Sequence, residues 1–170
     1  VKIIEKRAFE EFSGLSSTLT IPTSVSHIGE YAFSGCSGFS GSLIIPDSVL
    51  TIENYAFFGC SGLKGSLTIS NSIKVIDTYT FYGCSEFTGS LTIGKNVQRI
   101  EKKAFQNFSK LTGKLIFPDS VTFIGEYAFC NCSKFSGSLT ITNHIETIES
   151  YAFYGCSGFT GSLVIPDCVK

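Results

Sequence analysis

The sequence is poor in the features that membrane insertion, nucleic-acid binding and catalysis usually need. It has two histidines, no methionine and a formal net charge of −1, so no global field favours nucleic acid or an acidic membrane surface. No apolar run approaches the ~18 residues that a membrane-spanning helix needs, and we expect no direct membrane insertion. Disorder is excluded as well, because hydrophobic residues make up 43% of the chain and phenylalanine alone contributes 16.

The sequence instead consists of one phrase that recurs every 24 residues. A leucine keeps this period from Leu19 to Leu163, and the dipeptide Ala-Phe, once Thr-Phe, keeps it without a slip at Ala8-Phe9, Ala32-Phe33, Ala56-Phe57, Thr80-Phe81, Ala104-Phe105, Ala128-Phe129 and Ala152-Phe153. A fixed period in the twenties is typical of leucine-rich-repeat solenoids. Stacked coils form one extended surface, which favours recognition of a large partner over chemistry in a pocket.

The repeat also bears on domain organisation. The sequence begins within a repeat at Val1-Lys2 and ends at the same phase at Val169-Lys170, and it has no charged-then-apolar leader. We interpret residues 1–170 as a single solenoid domain, an excerpt of a longer protein without clear caps. We therefore expect cut apolar ends near Phe9 and Ile165, and end-to-end self-association of the fragment at high concentration.

Residues 43–66 serve as the type coil. The β-branched stretch Leu43-Ile44-Ile45 predicts a short strand that ends at Pro46, because proline lacks the donor that a longer ladder needs. Leu43 and Ile45 are two residues apart and share the inner face. The three-residue spacing of Val49 and Ile52 indicates a tight turn or a 3₁₀-like return.

Stacking of such coils fixes the predicted fold class. Strands of neighbouring coils pair in parallel at ~4.8 Å, and the rule for parallel crossovers predicts a right-handed coil. The phenylalanine column Phe9–Phe153 becomes a buried spine whose bulk places the sheet on the concave side. The prediction is a β-rich, α/β-type solenoid, a right-handed leucine-rich-repeat superhelix of seven ~24-residue coils with short 3₁₀ or irregular convex segments.

The repeated phrase resembles the BspA-like leucine-rich repeats of bacterial and protozoan surface antigens. The match covers essentially all 170 residues and rests on Leu43-Ile44-Ile45-Pro46, Ser48-Val49, Ile52, Ala56-Phe57, Gly59-Cys60-Ser61 and their equivalents. The resemblance implies a right-handed solenoid and, for some family members, adhesion to host or extracellular-matrix proteins. Some copies depart from the phrase, and we expect the departures to mark where a partner reads the surface: Ser70, Gly94 and Thr142 for proline, Thr80 for alanine, and Phe108 for cysteine.

Five of the seven cysteines occupy one column of the repeat, namely Cys36, Cys60, Cys84, Cys132 and Cys156. The other two copies place Phe12 and Phe108 there, so the column is apolar and the cysteines act as small hydrophobes. Equivalent side chains of stacked coils point in parallel, which keeps their β-carbons beyond the ~3.8 Å of a disulfide, and we predict a reduced ladder.

Cys130 lies in a variable column and is expected to face outward. Cys130-Asn131-Cys132 lacks the second pair of a zinc site.

Two sequences fit the N-glycosylation acceptor pattern, at Asn107 and Asn131. Both asparagines occupy the column that otherwise holds Gly35, Gly59, Gly83 and Gly155. Asparagine replaces glycine best at a left-handed backbone position, so the structural interpretation is favoured over modification.

Two surface features are candidates for partner binding. Six of the thirteen basic residues fall between residues 95 and 114, and they predict either an ordinary solvated coil or a basic patch for an acidic partner: Lys95, Arg99, Lys102, Lys103, Lys110 and Lys114. The second feature is the outward face of the strands, which is rich in hydroxyl groups and lightly apolar. Its candidate binding residues are Thr68, Thr92, Ile116 and Thr140, although β-propensity alone also explains such a face.

The functional prediction is a non-catalytic protein-binding repeat domain. His27 and His144 are almost five coils apart, and no nucleophile with its base, phosphate loop or metal spacing appears, so we expect no enzyme activity and no cofactor. The favoured hypothesis is cell-surface adhesion to a host or matrix protein, with cell-surface or secreted localisation taken from the resemblance. The alternative is a cytoplasmic scaffold that binds cytoskeletal or signalling proteins.

Overall fold

The computed structural model describes residues 2–14 and 16–170 and confirms a parallel-sheet solenoid. The described part of the chain contains no helix. Its ten two-residue strands are β1 Ile3–Ile4, β2 His27–Ile28, β3 Leu43–Ile44, β4 Thr51–Ile52, β5 Leu67–Thr68, β6 Val75–Ile76, β7 Leu91–Thr92, β8 Arg99–Ile100, β9 Phe123–Ile124 and β10 Thr147–Ile148. All strand pairs are parallel and join equivalent residues of successive coils.

The strands form two kinds of ladder. The strand-face ladder joins β3, β5 and β7, as predicted, with Leu43 opposite Leu67 and Leu67 opposite Leu91. The second, which we call the return ladder, contains β1-β2-β4 and β6-β8-β9-β10. The prediction of a tight turn or 3₁₀-like return between Val49 and Ile52 was therefore wrong. Thr51 points outward and Ile52 inward, and the pair extends because each coil offers its neighbour a parallel partner.

The segment after the return ladder is a run of turns. The amide of Ala32 bonds within its own coil to the Gly29 carbonyl at 3.1 Å, whereas the amide of Phe33 bonds to Ala56 O of the next coil at 2.8 Å. This alternation continues to Cys36. Of the two convex forms predicted, the irregular one is present, because Tyr31 and Gly35 adopt left-handed φ values of 57° and 71° that a 3₁₀ helix cannot contain.

The predicted aromatic spine is present. Successive rings from Phe9 to Phe153 stack with centroids 5.1 to 5.6 Å apart, and the ring planes lie within 16° of parallel. Phe57, Phe81, Phe105 and Phe129 are completely buried. Offset stacked rings gain roughly 0.5–1.5 kcal/mol per pair beyond their area burial, so the spine locks the spacing of the coils.

The cysteine column lies beside this spine, and all seven cysteines are free thiols. Each thiol of the column donates to the carbonyl of a phenylalanine one coil back, for example Cys60 Sγ to Phe33 O at 3.0 Å. Burial raises the pKa of Cys36 to about 11.

Cys130 is also buried, so its predicted outward position was wrong. The side chain of Gln106, which shares its column, covers this small residue, and Gln106 Nε2 contacts its sulfur at 3.6 Å.

The glycine column with Asn107 and Asn131 behaves as predicted. The φ angles are 69° at Asn107 and 61° at Asn131, against 67° to 75° at the glycines of the column. Asn131 Nδ2 donates to Asn107 Oδ1 at 3.0 Å, so the two amides form a short ladder of their own. The structural interpretation of these asparagines is confirmed, and whether either carries a glycan stays a prediction.

The departures from the repeat phrase are mostly internal. Ser70, Gly94, Thr80 and Phe108 are all buried, so the expectation that they mark a surface read by a partner was wrong for these four. Ser70 Oγ donates to Val49 O at 2.9 Å and accepts from Ser72 N at 3.0 Å. A β-carbon at Gly94 would lie 2.0 Å from the main-chain oxygen of Ser70, so the path of the backbone at Ser70 leaves no room for a side chain at position 94.

Candidate protein-interaction surface

The outward face of the strand-face ladder is a regular exposed strip. We define the strand-face strip as the two columns whose side chains point outward from this face. The first column is Thr18, Ser42, Ser66, Ser90, Lys114, Ser138 and Ser162, and the second, the Thr/Ile column, is Thr20, Ile44, Thr68, Thr92, Ile116, Thr140 and Val164. Leu43 and Ile45 are at most 1% exposed, whereas Ile44 between them is 62% exposed. The alternation expected of a strand with one buried face is therefore present.

The two columns of the strip have different roles. Ser42 Oγ accepts from Ser66 N, and Ser66 Oγ accepts from Ser90 N, each at 3.1 Å. These serines therefore hold neighbouring coils together. They also account for the glycine column beside them, because a β-carbon at Gly65 would lie 2.5 Å from Ser42 Oγ. The Thr/Ile column remains free to contact a partner.

The predicted binding residues of the Thr/Ile column share this face. The register places Ile44 opposite Thr68, and Thr68 opposite Thr92. Thr92 and Thr140 are exposed, Thr68 is half-buried, and Ile116 is 67% exposed. Lys114 stands two residues before Ile116 and is also exposed, so it belongs to the strip and not to the other basic residues.

The remaining basic residues are spread around the coil. Lys95 lies at the corner after Ile93, Arg99 lies in β8, and Lys102 and Lys103 lie in the turns that follow. Three of these five cations already have carboxylate partners: Arg99 Nε with Glu101 at 2.6 Å, Lys102 Nζ with Glu126 at 2.5 Å, and Lys110 Nζ with Glu86 at 2.6 Å. The Glu126 carboxylate raises the pKa of Lys102, and Lys110 lowers the pKa of Glu86.

Lys103 belongs to a second surface feature, the tyrosine ladder. It consists of Tyr31, Tyr55, Tyr79, Lys103, Tyr127 and Tyr151, one residue from each coil after the first, which has Arg7 at this position. Ring centroids are 4.6 Å apart for Tyr31–Tyr55 and 4.8 Å apart for Tyr55–Tyr79. The Lys103 ammonium lies between two rings, 5.1 Å from Tyr79 and 5.4 Å from Tyr127, and bonding to Tyr79 raises its pKa. The 24-residue recurrence of tyrosine is the signal in the sequence, but its stacking was not predicted.

The histidines are far from forming a catalytic group. His27 Nε2 faces Glu53 Oε1 at 3.2 Å, and His144 Nδ1 lies 3.9 Å from Asp119. Among residues 2–14 and 16–170, no three histidine, cysteine or carboxylate side chains are placed to hold a metal ion. The same residues include no helix long and apolar enough to cross a bilayer.

The repeat geometry agrees with the result of a family comparison. The family of the BspA type leucine-rich repeat region matches the chain in six copies, over residues 2–136 and 111–170. The chain belongs to this BspA-type leucine-rich-repeat family. Repeats of this family are generally non-catalytic, and their fold is one that favours protein–protein interaction.

Two solved structures of leucine-rich repeat proteins share the fold of this chain. One is a leucine-rich cell surface protein from Faecalibacterium prausnitzii A2-165, with a TM-score of 0.67 and 22% identity over 95% of this chain. The other is a leucine-rich repeat protein from Bacteroides ovatus ATCC 8483, with a TM-score of 0.71 and 24% identity over 99% of this chain. The chain spans about half the length of each, 50% and 51%. A comparison with curated proteins finds no match.

Proposed function

We propose that the chain is a non-catalytic protein-binding domain that acts at the cell surface, with the strand-face strip as its docking face. The observation that carries the proposal is the alternation along this strip, where buried leucines and isoleucines alternate with exposed side chains in register from coil to coil. A repeated exposed column can contact an extended partner at every coil. The similar protein from Faecalibacterium prausnitzii is a leucine-rich cell surface protein, and this supports the location.

Ile116 and Lys114 are the proposed centre of the docking face. Ile116 is 67% exposed, and Lys114 supplies a cation beside it that has no ion pair within the described residues. An apolar contact flanked by one cation and threonine hydroxyl groups suits a protein partner with a mixed surface. Thr68, Thr92 and Thr140 extend this contact along the array.

The basic residues outside the strip are proposed to assist association by charge. Lys95 has no carboxylate partner within the described residues, whereas Lys102 and Lys110 each have one. Charges at the rim of an interface mainly affect the association rate and its salt dependence. Neutral replacement of Lys102, Lys103 and Lys110 should weaken binding and make it less sensitive to salt, and unchanged affinity would remove them from the proposal.

The location can be tested by staining the source cells with antibodies raised against the fragment. Staining of intact cells is the expected result and would direct the search to extracellular-matrix and host proteins. Staining only after permeabilisation would overturn the surface assignment and favour the intracellular scaffold.

The docking face can be tested with purified extracellular-matrix proteins on a biosensor. Ile116→Ser should weaken binding about tenfold if it removes a central apolar contact. Tyr154→Ser is the matched control, because Tyr154 is 61% exposed but lies in the turns that follow the return ladder. Loss of binding in the Tyr154 variant with full binding in the Ile116 variant would place the docking face elsewhere.

A further inference from the structure

The return ladder has one interruption among the described coils, between β4 and β6. One coil earlier, Leu50 N donates to Ser26 O at 2.9 Å and Glu53 N donates to Ile28 O at 3.0 Å. The equivalent donors of the next coil are the amides of Lys74 and Asp77. Within residues 2–14 and 16–170, neither amide has a backbone acceptor, and the carbonyls of Leu50 and Ile52 have no donor.

Pairing resumes on the other side of the same coil. Gln98 N donates to Lys74 O at 2.7 Å, and Glu101 N donates to Ile76 O at 2.9 Å. The interruption therefore belongs to one junction and not to a badly formed coil. It opens a cleft of about 480 Å³ with Leu50, Thr51 and Ile52 on one wall and Lys74, Val75 and Asp77 on the other.

Ser70 is the cause of the cleft. Elsewhere a turn closes at this corner, for example through Val49 N to Pro46 O at 2.9 Å and Val97 N to Gly94 O at 3.1 Å. At Ser70 no such bond closes the turn to Ile73, and the serine hydroxyl instead binds Val49 O and Ser72 N. The chain leaves this corner on a different path, which separates β6 from β4.

The two walls of the cleft carry complementary backbone groups. Counting coils from the Ala8-Phe9 copy, the coil-3 wall, formed by β4, offers the carbonyl oxygens of Leu50 and Ile52. The coil-4 wall, formed by β6, offers the amides of Lys74 and Asp77. Backbone groups of this kind require partners. A parallel strand presents the amide and the carbonyl of alternate residues to each of its neighbours. An extended segment between the two walls can therefore donate to the Leu50 and Ile52 carbonyls and accept from the Lys74 and Asp77 amides. About four residues span the roughly 13 Å of the cleft wall.

The cleft is also asymmetric in charge. Lys74 is exposed at the start of the coil-4 wall, and Asp77 is half-buried at its end. Neither has an ion pair within the described residues. Burial, followed by the neighbouring carboxylates of Glu101 and Glu53, raises the pKa of Asp77. Glu101 pairs with Arg99 and Glu53 contacts the His27 ring, whereas Asp77 has no basic partner within the described residues.

We propose that the cleft between β4 and β6 binds an extended peptide segment of a partner protein as an added parallel strand. The segment carries an acidic residue beside Lys74 and a basic residue three positions later, beside Asp77. Main-chain hydrogen bonds to both walls supply affinity, and the two charges fix direction and register. This site belongs to the return ladder and does not depend on the strand-face strip.

Hydrogen exchange of the free protein gives the first test. Amides 74–77 should exchange at least about tenfold faster than the equivalent amides 98–101, which are paired in the same ladder. Equal protection of the two segments would mean that the cleft is closed and would overturn the proposal.

The second test uses a synthetic peptide, acetyl-Ser-Glu-Thr-Ile-Lys-Ser-amide. It should slow exchange at 74–77 and leave 98–101 unchanged. Its charge-swapped control, acetyl-Ser-Lys-Thr-Ile-Glu-Ser-amide, has the same composition and should bind roughly tenfold more weakly. If neither peptide protects 74–77 up to its solubility limit, the cleft holds solvent only and the proposal fails.

Two variants separate this site from the strand-face strip. Ser70→Pro introduces the residue that stands at four of the other corners, Pro22, Pro46, Pro118 and Pro166, and it should close the cleft and abolish peptide binding. The double variant Lys74→Glu with Asp77→Lys should instead prefer the charge-swapped peptide, which unfolding cannot mimic. Peptide preference that stays unchanged in the double variant would contradict the assigned register. Ile116→Ser should leave peptide binding intact, so failure of the docking face and failure of this site are distinguishable.

Discussion

A column of non-glycine residues in left-handed conformation is the most unusual feature at the scale of single residues. Tyr31, Tyr55, Tyr79, Lys103, Tyr127 and Tyr151 all have φ between 56° and 60°. A side chain in this region costs of order 1–2 kcal/mol. The cost is offset here because the conformation aligns the rings of successive coils into one stack, with centroids 4.6 to 4.9 Å apart where two tyrosines are adjacent.

Replacement of Lys103 separates the backbone cost from the side-chain contribution. Lys103→Ala and Lys103→Gly both remove the ammonium that lies between Tyr79 and Tyr127. Glycine tolerates the left-handed φ and alanine does not, so the glycine variant should be more stable by about 1 kcal/mol. Thermal unfolding of the two variants checks this order, which is the reverse of the order inside a helix. An alanine variant as stable as the glycine variant would contradict the argument.

The pH dependence of stability should show the unfavourable position of Asp77. Its pKa is higher in the folded chain than in the unfolded chain, because burial, Glu101 and Glu53 all disfavour the charged form. The folded state therefore holds this proton more tightly, and Asp77 makes folding less favourable as the pH rises through its folded pKa.

Asp77→Asn should consequently raise the unfolding temperature at pH 7. The gain should vanish below the unfolded pKa of about 3.8, where the carboxyl is protonated in both states. Thermal scans of both proteins over this pH range measure the difference. A gain of the same size at low and neutral pH would show that charge is not the cause.

At the scale of the coil, the sequence predicts the columns better than the path of the chain. Alternation at Leu43 and Ile45 and the stop at Pro46 are local signals, and the strand-face ladder, the exposed strip and the phenylalanine spine follow from them. The return strands were missed because two residues are too short for a periodic signal, and they become strands only through pairing with neighbouring coils.

The misassigned residues depend on neighbours in other coils. Cys130 is buried, and the side chain that contacts its sulfur is that of Gln106, 24 residues earlier in the chain. The β4–β6 cleft lies beside the corner where the Ser70 hydroxyl donates a hydrogen bond to the Val49 carbonyl of the preceding coil. Neither contact can be read from the column in which the residue stands, since a column gives the average environment of its members and not that of each one.

In coil 5, a phenylalanine replaces the cysteine found at the equivalent position of most other coils. Phe108 occupies the cysteine column, is fully buried, stacks on Phe87 at 5.5 Å and meets Phe105 edge-on at 5.6 Å. Phe108→Cys restores the residue most common in the column, yet it should destabilise the chain by about 2–4 kcal/mol because it leaves a cavity. Denaturant unfolding measures the effect. Cys84→Ala, a smaller deletion in the same column, is the control and should cost less.

At the scale of the whole molecule, stability is a sum over neighbouring coils. Phe81 stacks on both Phe57 and Phe105, at 5.3 and 5.6 Å, whereas Phe153 stacks within the spine on Phe129 alone. Phe81→Ala should therefore cost about 3–5 kcal/mol, and Phe153→Ala about half as much.

Hydrogen exchange should also differ between these two variants. Phe81→Ala interrupts the array in its middle, so amides on both sides of it should lose protection. Phe153→Ala should affect only the adjacent coils. Equal costs and equal exchange patterns for the two variants would show that the chain unfolds as one unit and not as an array of neighbouring coils.

Each coil contacts its two neighbours through the same groups, namely the outward serines of the strand-face strip and the phenylalanines of the aromatic spine. Ser66 N meets Ser42 Oγ in the same way that Ser90 N meets Ser66 Oγ. A gene duplication that adds 24 codons therefore inserts a coil whose two faces already fit, whereas a gain of one codon shifts every column beyond it. Such a protein can change its reach through copy number, and selection can then adjust single exposed residues without revising the interior.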